Sequence, residues 1–120
     1  MGLDINFTKR ISVSVGYFRK VNFLVKYFEE LGLDVENQTP FEIHKEDIKV
    51  LLSRCNQVLK EHSLAEELLP TMEGFFFGST DYDENYFKDV KEVRDYIKKY
   101  LLSQFDKLDD NESIYFEIWY

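Results

Sequence analysis

The feature that most limits the fold of this chain is a change of hydrophobic period along it. Both ends alternate every second residue, and the middle repeats at helical spacing. Leu3, Ile5 and Phe7 share one side of an extended segment, with Asp4, Asn6 and Thr8 on the other, and Ile11, Val13 and Val15 alternate again. That predicts strand over residues 3–15 with a turn or bulge near Lys9-Arg10. At the far end Ile114, Phe116 and Ile118 alternate with Tyr115, Glu117 and Trp119, which predicts a last strand. Between them, Phe18, Val21, Leu24, Val25, Phe28 and Leu31 predict a helix over residues 17–31, with Gly16 breaking the strand and Gly32 stopping the helix. Phe41 and Ile43 suit a short extended piece. Ile48, Leu51, Leu52, Cys55, Val58 and Leu59 predict a second helix over 45–61, with Glu46 and Asp47 at its positive end. A helical turn over 64–69 stops at Pro70. Tyr86, Phe87, Val90, Val93, Ile97, Tyr100 and Leu101 predict the longest helix, over 82–105.

Strands at both termini with helices between lead to an α+β fold of two layers. Three main helices pack on one face of a small antiparallel sheet that includes the N- and C-terminal strands. The 120 residues suit one domain, 1–120, and 11 Phe and 8 Tyr supply bulk for its core.

No run of about 18 apolar residues spans a membrane. Met1-Gly2 does not open a myristoylation pattern, since Asn6 stands where Ser or Thr is needed. The single Cys55 forms no internal disulfide, so the expected setting is a reducing cytoplasm.

The net charge is −8, and it is uneven. Residues 1–60 hold 9 Lys and Arg against 8 Asp and Glu, whereas residues 61–120 hold 6 against 15, a net −9. An acidic body repels phosphate backbones and attracts basic protein surfaces, so direct nucleic-acid binding is not expected. Lys9, Arg10, Arg19, Lys20 and Lys26 form an acid-free stretch around Tyr17 and Phe18, but five charges are few against the whole. Three acid clusters stand out: Glu61, Glu66, Glu67 and Glu73; then Asp81, Asp83 and Glu84; then Asp106, Asp109, Asp110 and Glu112. Their plain role is solubility. Their sharper role is contact with a basic partner, in which Glu66, Glu67, Glu73, Glu84, Asp106, Asp109, Asp110 and Glu112 carry the interface.

Motifs for catalysis are sparse. Asp81, Asp83, Asn85 and Glu92 fall at calcium-loop spacing, but Tyr86 stands where that loop needs Gly, and helix capping accounts for the acids. His44, His62 and Cys55 do not make a zinc set, and Cys55 reads as core. There is no phosphate loop and no nucleophile elbow. Gly78-Ser79-Thr80 ahead of a helix resembles an anion seat, opposed by the acids beside it. No cofactor or metal is indicated. The segment Gly74-Phe75-Phe76-Phe77-Gly78 brackets aromatics with glycines, either as a plug under a loop or as the wall of a pocket. In the pocket reading Tyr17, Arg19, Lys20 and Asn22 join Phe77, Ser79, Asp81, Tyr82 and Asp83 around a small ligand.

Three segments resemble a family of small uncharacterised phage and prophage proteins. They are Met1-Gly2-Leu3-Asp4, Val15-Gly16-Tyr17-Phe18-Arg19-Lys20-Val21-Asn22, and the run from Leu68-Leu69-Pro70-Thr71 through Gly74-Phe75-Phe76-Phe77-Gly78-Ser79-Thr80-Asp81-Tyr82-Asp83-Glu84. Position 18 is often Trp in that family and is Phe18 here. The resemblance implies no established activity and hence no catalytic residue. It implies a setting in which small phage accessory proteins act on host proteins, defence nucleases such as CRISPR effectors among them. Three functional expectations therefore stand: an acidic inhibitor of a host protein, a small-ligand binder or enzyme at the Gly74-to-Asp83 loop, and a phage structural or assembly protein.

Overall fold

The protein is described from a computed structural model, which covers residues 2–10, 13–74 and 77–120. β1 (Asp4–Arg10) and β2 (Val13–Arg19) form an antiparallel pair, followed by α1 (Asn22–Glu30), β3 (Phe41–Ile43) and α2 (Lys45–Lys60). A 3-10 turn (His62–Leu64) leads into the short α3 (Ala65–Leu68). α4 (Glu84–Tyr96) runs through a π turn (Ile97–Leu101) into α5 (Leu102–Asp106), and β4 (Ile114–Trp119) ends the chain.

The four strands lie in the order β2-β1-β4-β3, all neighbours antiparallel, so the two terminal strands pair at the centre of the sheet. This is the expected α+β, two-layer arrangement. Ile5, Phe7, Phe18, Phe116 and Ile118 share the face that meets the helices. The contact is aromatic: Phe7 meets Phe28 of α1 at 6.3 Å, Tyr96 at 5.5 Å and Phe116 at 5.4 Å between ring centroids. Such pairs add a fraction of a kcal/mol to about 1.5 kcal/mol each beyond the area they bury. Cys55 lies inside α2 among these residues, and burial pushes its thiol up to about 12, which keeps it protonated and inert.

Several boundaries differ from expectation. The first helix starts at Asn22 rather than residue 17, and Gly16, Tyr17 and Phe18 belong to β2. Gly16 does not end the strand. It makes room, because a Cβ there would lie 2.1 Å from the hydroxyl of Tyr96, whose Oη donates to Val15 O at 2.8 Å. Phe18 pairs with Ile5 across the strands and meets Tyr96 edge-on, so its apolar character serves the sheet. The chain reverses at Lys20, which takes a left-handed φ of 59°. Around Lys9-Arg10 the irregularity is a bulge: β1 continues to Arg10, with register shifts on both sides of Thr8. Ile11 lies outside the described residues. α2 spans the expected stretch. The long helix begins two residues later than expected, after the cap at Asp83.

Candidate functional site

A hollow of about 170 Å³ opens where the β2–α1 connection meets the loop 69–83 and the first turns of α4. It is lined by Arg19, Lys20, Val21, Asn22 and Phe23 from the first of these, by Thr71, Gly78, Ser79, Asp81 and Asp83 from the second, and by Asn85, Tyr86 and Asp89 from the third. Its volume is that of about six waters of bulk liquid, the scale of a small metabolite or of one end group of a larger molecule. A broader, shallower recess continues from it along Glu73, Gly74, Thr80 and the shared residues Gly78, Ser79 and Asp81.

The wall is held by one amide. Asn22 is 3% exposed. Its Nδ2 donates to Phe77 O at 3.0 Å and Ser79 O at 2.9 Å, and its Oδ1 accepts from Met72 N at 3.1 Å. Both side-chain donors are thus spent on backbone, and Asn22 acts as a staple that fixes the loop. Further ties close the loop on itself. Thr71 Oγ1 donates to Thr80 O at 3.0 Å, Tyr82 Oη accepts from Thr71 N at 3.1 Å, and Tyr86 Oη donates to Leu69 O at 2.7 Å. Gly78 has a φ of +86° and lies against Lys20, where a Cβ would come within 3.2 Å of the lysine Cβ, so the two left-handed residues at the mouth fit only as a pair with one side chain.

The hollow is mixed in charge. Arg19 and Lys20 bring two cations, and Asp81, Asp83 and Asp89 bring three carboxylates. Asp83 caps α4 by accepting from Tyr86 N at 3.1 Å, as the alternative to calcium binding required, and residues 84–92 are helical, which a calcium loop is not. Asp89 is the most perturbed acid. Desolvation pushes its carboxyl up to about 6, with Glu92 and Asp83 adding to the effect and Lys88 opposing it. Ser79 Oγ accepts from Asp81 N at 3.1 Å, which closes the turn ahead of the helix. Among the described residues no group of three His, Cys, Asp or Glu is placed to hold a metal ion.

Of the residues expected around a ligand, Arg19, Lys20, Asn22, Ser79, Asp81 and Asp83 line the hollow. Three do not. Phe77 is buried as a plug, meeting Tyr120 edge-on at 5.3 Å. Tyr17 lies on the opposite side of the sheet from the helices, and its hydroxyl donates to Asp4 Oδ1 at 2.6 Å. Tyr82 braces the loop from outside. Phe75 and Phe76 lie outside the described residues. Asp89 is not marked by the sequence and Asn85 only as a calcium-loop position, although their spacing of four residues on a helix beginning at a capping Asp was a usable signal.

The acid clusters occupy two poles. Glu66, Glu67, Glu73, Asp81, Asp83 and Glu84 are exposed around the start of α4, where His62 stacks on Phe87 at 3.7 Å and draws α3 alongside. Asp106, Asp109, Asp110 and Glu112 sit at the other end of the α4–α5 rod. Helical rise over residues 84–106 puts the two groups about 30 Å apart. The second pole is partly neutralised, since Lys45 reaches Asp106 at 2.6 Å and Lys9 reaches Glu112 at 3.9 Å. Among the described residues no helix is long and apolar enough to cross a membrane.

No protein-family profile, curated protein or solved structure matches the chain.

Proposed function

We propose that the hollow between the β2–α1 connection, the loop 69–83 and α4 binds a small polar molecule that carries both an anionic and a cationic group. The observation that carries this reading is the juxtaposition of Arg19 and Lys20 with Asp81, Asp83 and Asp89 in one stapled recess. A cation pair beside the partly desolvated Asp89 and the exposed carboxylates of Asp81 and Asp83 suits a zwitterion, because each end of the ligand meets an opposite charge. A perturbed acid in a cleft is a further mark of a binding or proton-handling group. The two longer segments on which the family resemblance rests, Val15 to Asn22 and Leu68 to Glu84, are the ones that meet here. The test is a thermal-shift screen of amino acids, small amines and phosphate- or carboxylate-bearing metabolites. Stabilisation by zwitterions that is lost in both Arg19→Gln and Asp89→Asn supports the reading; stabilisation that survives both substitutions removes it.

A second reading rests on the pole at the start of α4. There Glu66, Glu67, Glu73, Asp81 and Glu84 are exposed and make no ion pair among the described residues. In this reading the chain is a phage accessory protein whose acidic end docks on a basic surface of a host protein, a defence or nucleic-acid-handling protein among the candidates, and inhibits it. Recovery of a stoichiometric host protein that is released as salt rises supports it, and binding indifferent to salt contradicts it.

A further inference from the structure

The helices cover one face of the sheet, and the strand registers define what the other face presents. Three rows cross it: Arg19–Asp4–Trp119, Tyr17–Asn6–Glu117, and Ser14–Thr8–Tyr115–Glu42. Tyr17 and Trp119 are 55% and 56% exposed, the largest values among the exposed large hydrophobic side chains. Neighbouring strands lie about 5 Å apart and residues two apart on a strand about 7 Å, so Tyr17, Tyr115 and Trp119 stand around Asn6 and Glu117 within about 10 Å of the Glu117 backbone.

Two polar groups on this face lack partners among the described residues. Glu117 is 8% exposed and makes no hydrogen bond or ion pair among the described residues, and its burial raises the pKa of its carboxyl. Thr8 is 5% exposed, and its Oγ1 is buried with no hydrogen-bond partner. A largely dehydrated carboxylate left unpaired costs stability that a cation would return. Among the described side chains the face holds three carboxylates, Asp4, Glu42 and Glu117, against one cation, Arg19, and Asp4 is already engaged by Tyr17.

We propose that this open sheet face docks a partner protein through an arginine of the partner, set against Glu117 and flanked by the rings of Tyr17, Tyr115 and Trp119. A guanidinium fits this arrangement: it pairs with a carboxylate through two parallel N–H bonds and stacks on aromatic faces. Tyr, Trp and Arg dominate the anchoring residues of protein interfaces, and the face is rich in them. A second copy of the chain is disfavoured, since pairing two such faces opposes six carboxylates with two cations among the described side chains. Single-stranded nucleic acid is disfavoured by the same carboxylates. The proposal rests on Glu117 and the three rings, none of which lines the hollow; the face and the hollow share only Arg19.

Trp119 is the only tryptophan of the chain, so its fluorescence reports directly on the face. The probe is the capped peptide Gly-Gly-Arg-Gly-Gly, with Gly-Gly-Gln-Gly-Gly as control. The arginine peptide is expected to shift Trp119 emission saturably, with a Kd of roughly millimolar, and Glu117→Gln to weaken it at least tenfold, about the worth of one charge-assisted bond. Tyr17→Ser, at an exposed position, weakens it with the fold intact by circular dichroism. Glu66→Gln, at the far acidic pole, leaves it unchanged. Equal binding of the glutamine peptide, full binding by Glu117→Gln, or no response to the arginine peptide overturns the proposal. So does a Trp119 signal that depends on protein concentration alone, which assigns the face to a second copy, or one that responds only to a single-stranded oligonucleotide.

Discussion

Asn22 shows how much of the candidate site hangs on one side chain. Its amide satisfies a backbone N–H and two carbonyls of a loop 50 to 57 residues away, in places buried or partly buried. Asn22→Ala leaves these groups without partners, and urea denaturation should show a loss of about 2–4 kcal/mol. The same variant should expose the loop to proteolysis near Gly74 and Gly78. Asp89 makes the opposite case. Its carboxyl ordinarily titrates at 3.8 and is pushed up to about 6 in the folded chain. Between those values the folded state holds the proton more firmly than the unfolded state does, so stability falls as pH rises from about 4 to about 6 and stays lower above. Asp89→Asn should therefore raise stability by about 1–2 kcal/mol at pH 7.5 and change little at pH 4, as read by melting at the two pH values. At this scale the sequence pointed to Arg19, Lys20, Ser79, Asp81 and Asp83 as polar groups able to converge on the aromatic segment bracketed by Gly74 and Gly78. It did not show that Asn22 is spent as a staple, since an Asn at a helix start reads equally well as a cap or a contact.

The secondary structure was legible wherever period and position agreed. α2 and β4 fall where their apolar residues recur, and β1 pairs with β4 as the alternation at both ends required. The reading failed at β2, because a lone glycine inside a strand looks like its end. The reason lies in tertiary packing that no local pattern contains: Tyr96, 80 residues on, places its ring against Gly16 and bonds Val15 O. That ring is held at its hydroxyl and packed between Phe7 and Phe18, so it has little freedom to yield. Gly16→Ala should accordingly cost about 1–3 kcal/mol, measured by chemical denaturation, and Gly16→Ala combined with Tyr96→Phe should recover only part of it. The left-handed Lys20 is equally silent in sequence, yet it sets where α1 begins and so where Asn22 points.

Over the whole molecule the acidity resolves into two poles about 30 Å apart along the α4–α5 rod, with different local balances. One is tied to Lys45 and Lys9, and the other stands open beside the recess where Arg19 and Lys20 meet Asp81, Asp83 and Asp89. Linear charge counts show that the second half is acidic, but they do not show that folding returns two cations of the first half to the edge of an acidic end. That return is what turns an acidic surface into a mixed-charge recess. Native mass spectrometry of the chain incubated with a small-molecule cell extract tests most directly whether that recess binds a ligand. A bound species of low mass bearing both an acidic and a basic group is expected on the wild type and not on Arg19→Gln or Asp89→Asn. A bound species retained equally by all three chains, or a wild type that stays bare in the full extract, would contradict it.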